Sequence, residues 1–230
     1  MTVITIQKVR AMNKTQLYLI TPAQFELGEF LPKLRDAFEG GGVACLQLRM
    51  KKQGSVDETA DIDEMRIAAK EILPICREYG VQFIINDRAE LVNEIGADGV
   101  HVGSDDMSVA RAREIVGENK VVGASCYGDV DLAIDAGVAG ADYVAFGQFY
   151  ETSTKPPKGR PTTEILEFWN RNSILPCVAI GGITPENVAP IVKAGADFIA
   201  VVSGVWQHPK GAKKAVEEYL AVINKESISA

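Results

Sequence analysis

Short apolar runs rich in β-branched residues alternate with longer amphipathic stretches from near one end of the chain to the other. The runs cover 17–21, 43–49, 81–86, 99–102, 120–125, 143–147, 177–181 and 198–203. Each has the length of a strand rather than a helix. Between them, segments such as 58–79, 108–116, 163–171 and 185–193 carry apolar residues at helical spacing. Strict alternation of strand and helix signals predicts parallel strands joined by right-handed crossovers. Near-continuous apolar strands predict a sheet covered on its outer face. Eight such units without a second block of composition predict one α/β domain over 1–230, a single (β/α)8 TIM barrel with the barrel proper at about 17–224. An open doubly wound sheet fits less well, and no Gly-x-Gly-x-x-Gly fingerprint follows any run to support dinucleotide binding. The last residues, 225–230, read as a frayed tail.

A short repeat agrees with this count. Gly-Ala-Asp followed by an apolar run occurs at Gly96, Gly140 and Gly195, spaced 44 and 55 residues apart. In each copy the Gly can close a helix in the left-handed conformation and the Asp leads into a strand, so the repeat reads as local structure rather than chemistry. Composition narrows the partners. The 24 Lys and Arg against 31 Asp and Glu give a net charge of −7, with no basic stripe, which argues against nucleic acid. No apolar run reaches the length of a membrane span. Four cysteines without a Cys-x-x-Cys pair, beside only two histidines, point away from a zinc site and towards reduced thiols in the cytoplasm. Homo-oligomer formation is left open by the sequence.

In such barrels chemistry gathers where strands end at the C-terminal face. The second run ends Gln47-Leu48-Arg49-Met50-Lys51, which sets Gln47, Arg49 and Lys51 on one face. The third ends Asn86-Asp87-Arg88, the fourth carries His101 and is followed by Ser104-Asp105-Asp106, and the fifth ends at Ser125. After the sixth comes Thr152-Ser153-Thr154-Lys155. Converging bases, an amide, carboxylates and hydroxyls suggest a metal–polyphosphate site. Asp87 and Asp106 offer the hard oxygens that suit Mg²⁺, while Arg49, Lys51 and Lys155 would neutralise phosphate. On the other half of the mouth, Gly181-Gly182 and Ser203-Gly204 follow the seventh and eighth runs, where many barrels bind a single phosphate with backbone amides. Gly181-Gly182 reads equally as a tight turn. His101 is either a donor to substrate or a satisfied barrel histidine.

Taken together, these stretches resemble the thiamine-phosphate synthase family. The resemblance rests on residues 17–21, 47–51, 85–88, 97–103, 123–125, 152–155, 179–183 and 202–203, and runs in the same order from about Leu17 to Trp206. It implies a (β/α)8 barrel that joins 4-amino-2-methyl-5-(diphosphooxymethyl)pyrimidine to a thiazole phosphate, giving thiamine phosphate and diphosphate. By that resemblance Gln47, Arg49, Lys51, Asn86, Ser125 and Lys155 hold the pyrimidine diphosphate, and Asp87 and Asp106 hold Mg²⁺. Thr152, Ser153, Thr154, Gly182, Val202 and Ser203 surround the thiazole phosphate, and His101 is a further candidate contact. The partners would be small phosphorylated substrates. The sequence departs from the usual pattern at Met50, Ser104-Asp105, Tyr127 and the basic stretch Lys158-Gly159-Arg160, and Arg88 beside Asp87 threatens to disturb the metal site. The alternatives are a thiazole tautomerase-like enzyme and a non-catalytic barrel that binds phosphorylated ligands.

Overall fold

In the computed structural model, which describes residues 15–55, 58–103, 106–152 and 159–227, the eight apolar runs are eight strands. These are β1 (Gln16–Ile20), β2 (Val43–Leu48), β3 (Gln82–Asn86), β4 (Gly99–Val102), β5 (Val121–Tyr127), β6 (Tyr143–Gly147), β7 (Cys177–Ile180) and β8 (Phe198–Val201). Each pairs in parallel with its sequence neighbours, and β8 closes on β1. The crossovers carry α1 (Leu27–Glu39), α2 (Ile62–Tyr79), α3 (Ala89–Ile95), α4 (Val109–Val116), α5 (Val130–Val138), α6 (Glu164–Asn172) and α7 (Ala189–Lys193). A short α8 (Ser203–Trp206) follows β8, and α9 (Ala212–Ser227) finishes the described chain. The expected (β/α)8 barrel is the observed one. The last helix runs on through Ser227, so the fraying expected from 225 does not hold for its first three residues.

Alternation along the strands separates two apolar layers. Outward-facing Leu17, Leu19, Leu46, Leu48, Phe83 and Ile85 join the helices in the main core. Inward-facing Tyr18, Cys45, Ile84, Tyr143, Val178 and Phe198 fill the lower barrel as a smaller cluster. Fully burying each such side chain contributes about 1.5–3 kcal/mol. The inner layer is tight: a Cβ on Gly123 would strike the Tyr143 ring, so a glycine on β5 makes room for a tyrosine on β6.

The Gly-Ala-Asp repeat is structural and lies at the N-terminal ends of β4, β6 and β8. All three glycines have positive φ, as expected. Each aspartate then binds back to the strand two places earlier in the chain order of elements. Asp98 Oδ2 accepts from Phe83 N at 2.7 Å, Asp142 Oδ2 from Val122 N at 2.8 Å, and Asp197 Oδ2 from Cys177 N at 2.8 Å. The carboxylates thus replace the ladder partners that the strand starts lack.

The helix expected over 58–79 begins only at Ile62, capped by Asp61, whose side chain accepts from Asp63 N. The residues before it have another task. Lys52 N donates to Glu58 O and Ala60 N to Met50 O, which pairs 50–52 with 58–60 and bridges Lys51 to Thr59. The segment expected as helix at 185 starts at Ala189, because Thr184 N and Asn187 Oδ1 first close a turn.

Candidate active site

At the C-terminal end of the strands lies a cavity of about 910 Å³. Gln47, Arg49 and Lys51 enter it from one side, as their spacing predicted, even though β2 ends at Leu48. Backbone bonds extend the wall: Arg49 N donates to Thr21 Oγ1 and Lys51 N to Ala23 O. Asn86, Asp87, His101, Asp106, Ser125 and Thr152 line the same space. So do Gly182, Val202 and Ser203 from the opposite rim. Ser153, Thr154 and Lys155, together with Ser104, Asp105 and Lys158, lie outside the described residues.

Asp87 is the most constrained of these groups. It has φ 63°, in the left-handed region that few residues other than Gly, Asn and Asp enter. Its N–H donates to His101 O at 2.9 Å, which holds the turn. Lys51 Nζ sits 3.0 Å from Asp87 Oδ2, and the Thr59 hydroxyl donates to the same oxygen at 2.8 Å. Lys51 Nζ also lies 3.3 Å from Thr59 Oγ1, closing a triangle. The ion pair is nearly buried, with side-chain exposures of 6% and 10%, so its partners are screened little by water. Thr59 was not anticipated. No local pattern marks it, since the pairing of 50–52 with 58–60 alone aims it at Asp87.

A divalent cation fits this donor set. Asp87 Oδ1 takes no hydrogen bond among the described residues, and Asp106 faces the same cavity. No cluster of three or more His, Cys, Asp or Glu side chains forms among the described residues. Two carboxylates completed by water and phosphate oxygens are the arrangement that suits Mg²⁺ rather than a metal in an all-protein cage. Two of the departures noted in the sequence, Met50 and Arg88, are displaced from this point, whereas Tyr127 lines the cavity. Met50 packs against the core, and Arg88 turns away, reaching towards Ala60 O and Glu90.

A second polar group crosses the floor. His101 Nε2 lies 2.9 Å from Ser125 Oγ and Nδ1 lies 2.9 Å from Tyr143 Oη, whose hydroxyl is 2.9 Å from that of Tyr18. Gln47 Nε2 donates to Tyr18 Oη at 3.2 Å. Burial lowers the His101 pKa to about 4, outweighing the nearby Asp87 charge, so the imidazole is neutral at pH 7. Burial likewise pushes both tyrosines well above their ordinary value. Both nitrogens of His101 have partners, as the satisfied barrel-histidine reading expects, and its ring also lines the cavity. Tyr18 and Tyr143 were missed. Their signal was a tyrosine at an inward position of an aliphatic strand, where its hydroxyl needs a partner.

The opposite rim is built from backbone. Phe149 N donates to Ile180 O and Tyr150 N to Gly181 O, fastening the segment after β6 onto the turn after β7. A Cβ on Gly182, where φ is 63°, would collide with Glu151 O. The tight-turn reading of Gly181-Gly182 is thus correct as far as the fold goes, and the glycine is required whether or not a phosphate approaches. The expected extra helix is α8, anchored by Trp206 Nε1 donating to Ile20 O at 2.6 Å. From α9 the Tyr219 hydroxyl donates to Ile183 O at 2.7 Å, bracing the turn from behind.

This geometry agrees with what the chain is similar to. The thiamine monophosphate synthase family profile matches residues 17–205. The thiamine-phosphate synthase of Rhodospirillum centenum is 46% identical over 213 residues, covering 92% of this chain and 99% of the relative. That of Hyphomonas neptunium is 46% identical over 210 residues, covering 91% and 94%. Among solved structures, thiamine phosphate pyrophosphorylase from Pyrococcus furiosus superposes with a TM-score of 0.77 at 32% identity, over 94% of this chain and 98% of the other. With a closed eight-strand barrel, a charged mouth at its C-terminal face and a match spanning β1 to α8, the chain belongs to the thiamine monophosphate synthase family of transferases.

Proposed function

We propose that this barrel condenses the aminopyrimidine methyl diphosphate with a thiazole phosphate, releasing diphosphate and forming thiamine phosphate. The observation that carries the reading is the single cavity with the Lys51–Asp87 pair on one wall and the Gly182 and Ser203 rim on the other. Arg49 and Lys51, with Lys155, would grip the diphosphate, aided by Gln47, Asn86 and Ser125. Thr152, Ser153, Thr154, Gly182, Val202 and Ser203 would surround the thiazole phosphate. The carbon–oxygen bond to the diphosphate breaks, the diphosphate leaves with the electron pair, and the thiazole nitrogen attacks the exposed methylene carbon. Fixed cations beside the leaving oxygens lower the barrier because negative charge develops there. Asp87 and Asp106 would hold Mg²⁺, which neutralises charge on the leaving diphosphate. The four free, buried cysteines suit a reducing compartment, and we assign the enzyme to the cytoplasm on that ground.

The test is incubation with both phosphorylated substrates, with Mg²⁺ and with a chelator. Thiamine phosphate and diphosphate should appear in equal amounts and only with the metal. Binding of both substrates with no diphosphate released would instead mark a ligand-binding barrel.

A further inference from the structure

Five polar side chains form an unbroken chain across the cavity floor, running Gln47, Tyr18, Tyr143, His101, Ser125. Gln47, His101 and both tyrosines are buried, so each polar hydrogen is best satisfied by its neighbour in the chain. Each hydroxyl owns one proton to donate, and the His101 ring, with one nitrogen at Tyr143 and the other at Ser125, passes one proton along. Gln47 Nε2 donates to Tyr18. The Tyr18 proton then goes to the Tyr143 oxygen, a better acceptor than the sulfur of neighbouring Cys45. Tyr143 in turn donates to His101 Nδ1, and His101 Nε2–H donates to Ser125 Oγ. The chain meets the cavity at both ends. Gln47 presents Oε1, which takes no partner among the described residues, and Ser125 presents its hydroxyl proton.

We propose that Tyr18, Tyr143 and His101 are specificity-determining positioning residues that hold Gln47 as an acceptor and Ser125 as a donor, and so select an amino-substituted over an oxo-substituted pyrimidine. The inference rests on the pyrimidine diphosphate reading given above. An exocyclic amine donates to Gln47 Oε1, and either a ring nitrogen or a diphosphate oxygen accepts from Ser125. A 4-oxo ring presents an acceptor where the amine stood. To meet it Gln47 must turn its amide, and its carbonyl then faces Tyr18. Every proton in the chain reverses, His101 changes tautomer, and Ser125 spends its proton on Nε2 instead of the ligand. Discrimination at one end is therefore paid at the other, which a lone glutamine free to turn could not enforce.

Tyr143→Phe keeps the ring stacked on His101, whose centroid lies 5.5 Å away, but cuts the chain in the middle. Tyr18→Phe cuts it beside Gln47. Calorimetry measures binding of the aminopyrimidine diphosphate and its 4-oxo analogue to the wild-type protein and to each variant. The wild-type protein should prefer the amino form by about 100-fold or more, and the preference should shrink about tenfold in each variant. The 4-oxo analogue should bind more tightly to the variants than to the wild-type protein, a gain that packing damage does not produce. Equal weakening of both ligands, or an unchanged ratio in the variants, would overturn the proposal. Because binding is read without turnover, a preserved preference in a protein that makes no thiamine phosphate would sink the reaction and leave the relay standing.

Discussion

The two ends of this barrel use the same side chain in opposite ways. At the N-terminal end Asp98 and Asp142 each accept from a strand N–H and from an arginine. Arg77 Nη1 reaches both Asp98 oxygens at 2.9 Å, and Arg113 Nη2 reaches Asp142 at 2.6 Å. At the C-terminal end Asp87 meets a lysine and a threonine hydroxyl on one oxygen and lines a cavity. Asp98 sits in a fork that occupies both its oxygens, and Asp142 is tied by one oxygen to Arg113 and to Val122 N, so both carboxylates are committed to the fold. Asp87 keeps spare coordination, a single point charge beside it and a backbone conformation most residues avoid. Such outliers persist where the surrounding structure holds them, and they gather at functional sites. Residue type alone does not separate a structural carboxylate from a chemical one; its remaining coordination does.

The sharpest way to break this contrast is Asp87→Asn. Asn tolerates the left-handed backbone and keeps an oxygen for Thr59, but Lys51 loses its counter-charge, so the melting temperature should also fall, by about 5–10 °C. Turnover should fall by about 10²–10³, the usual cost of removing a group that stabilises developing charge. Wild-type turnover at saturating substrates, with unaltered Mg²⁺ dependence, would erase the distinction between the two ends.

Asp142→Ala should leave the chemistry alone. It strips Val122 N and the mostly buried Arg113 of a partner, costing about 2–3 kcal/mol of stability. For a chain of this size that is roughly 5–10 °C in thermal unfolding, with the turnover of folded enzyme unchanged. A loss of turnover at full stability would mean that the lower end communicates with the chemistry.

The smallest effect concerns the wall between the ends. Unfolded, His101 takes a proton near its ordinary 6.5, whereas the folded site refuses it until about 4. Stability from the neutral imidazole is therefore complete above pH 6.5 and is lost as the pH falls towards 4. Comparing melts of the wild-type protein and His101→Asn across that window should show a shallower acid loss in the variant, by a few degrees. Parallel curves would show that His101 shares the titration of an ordinary exposed histidine.

Much of this was legible along the chain. The eight strands, their parallel order and the closed barrel follow from apolar periodicity, since covering a sheet on its outer face demands nearly continuous apolar strands. The mouth residues follow too, because strand ends at period two share a face. Gln47, Arg49 and Lys51 needed only their spacing, and the Gly-Ala-Asp turns needed only their glycines. What local pattern could not carry are contacts between residues distant in sequence. Thr59 looked like the start of a helix until pairing with 50–52 turned it onto Asp87. That the fold itself requires Gly182, whatever ligand approaches, follows only from the segment after β6 occupying the space of its missing side chain. Tyr18 and Tyr143 stand 125 residues apart, and only closure of the barrel brings their hydroxyls together. Periodicity is written into consecutive residues, whereas hydrogen-bond partnership depends on which strands become neighbours and how closely their side chains are packed.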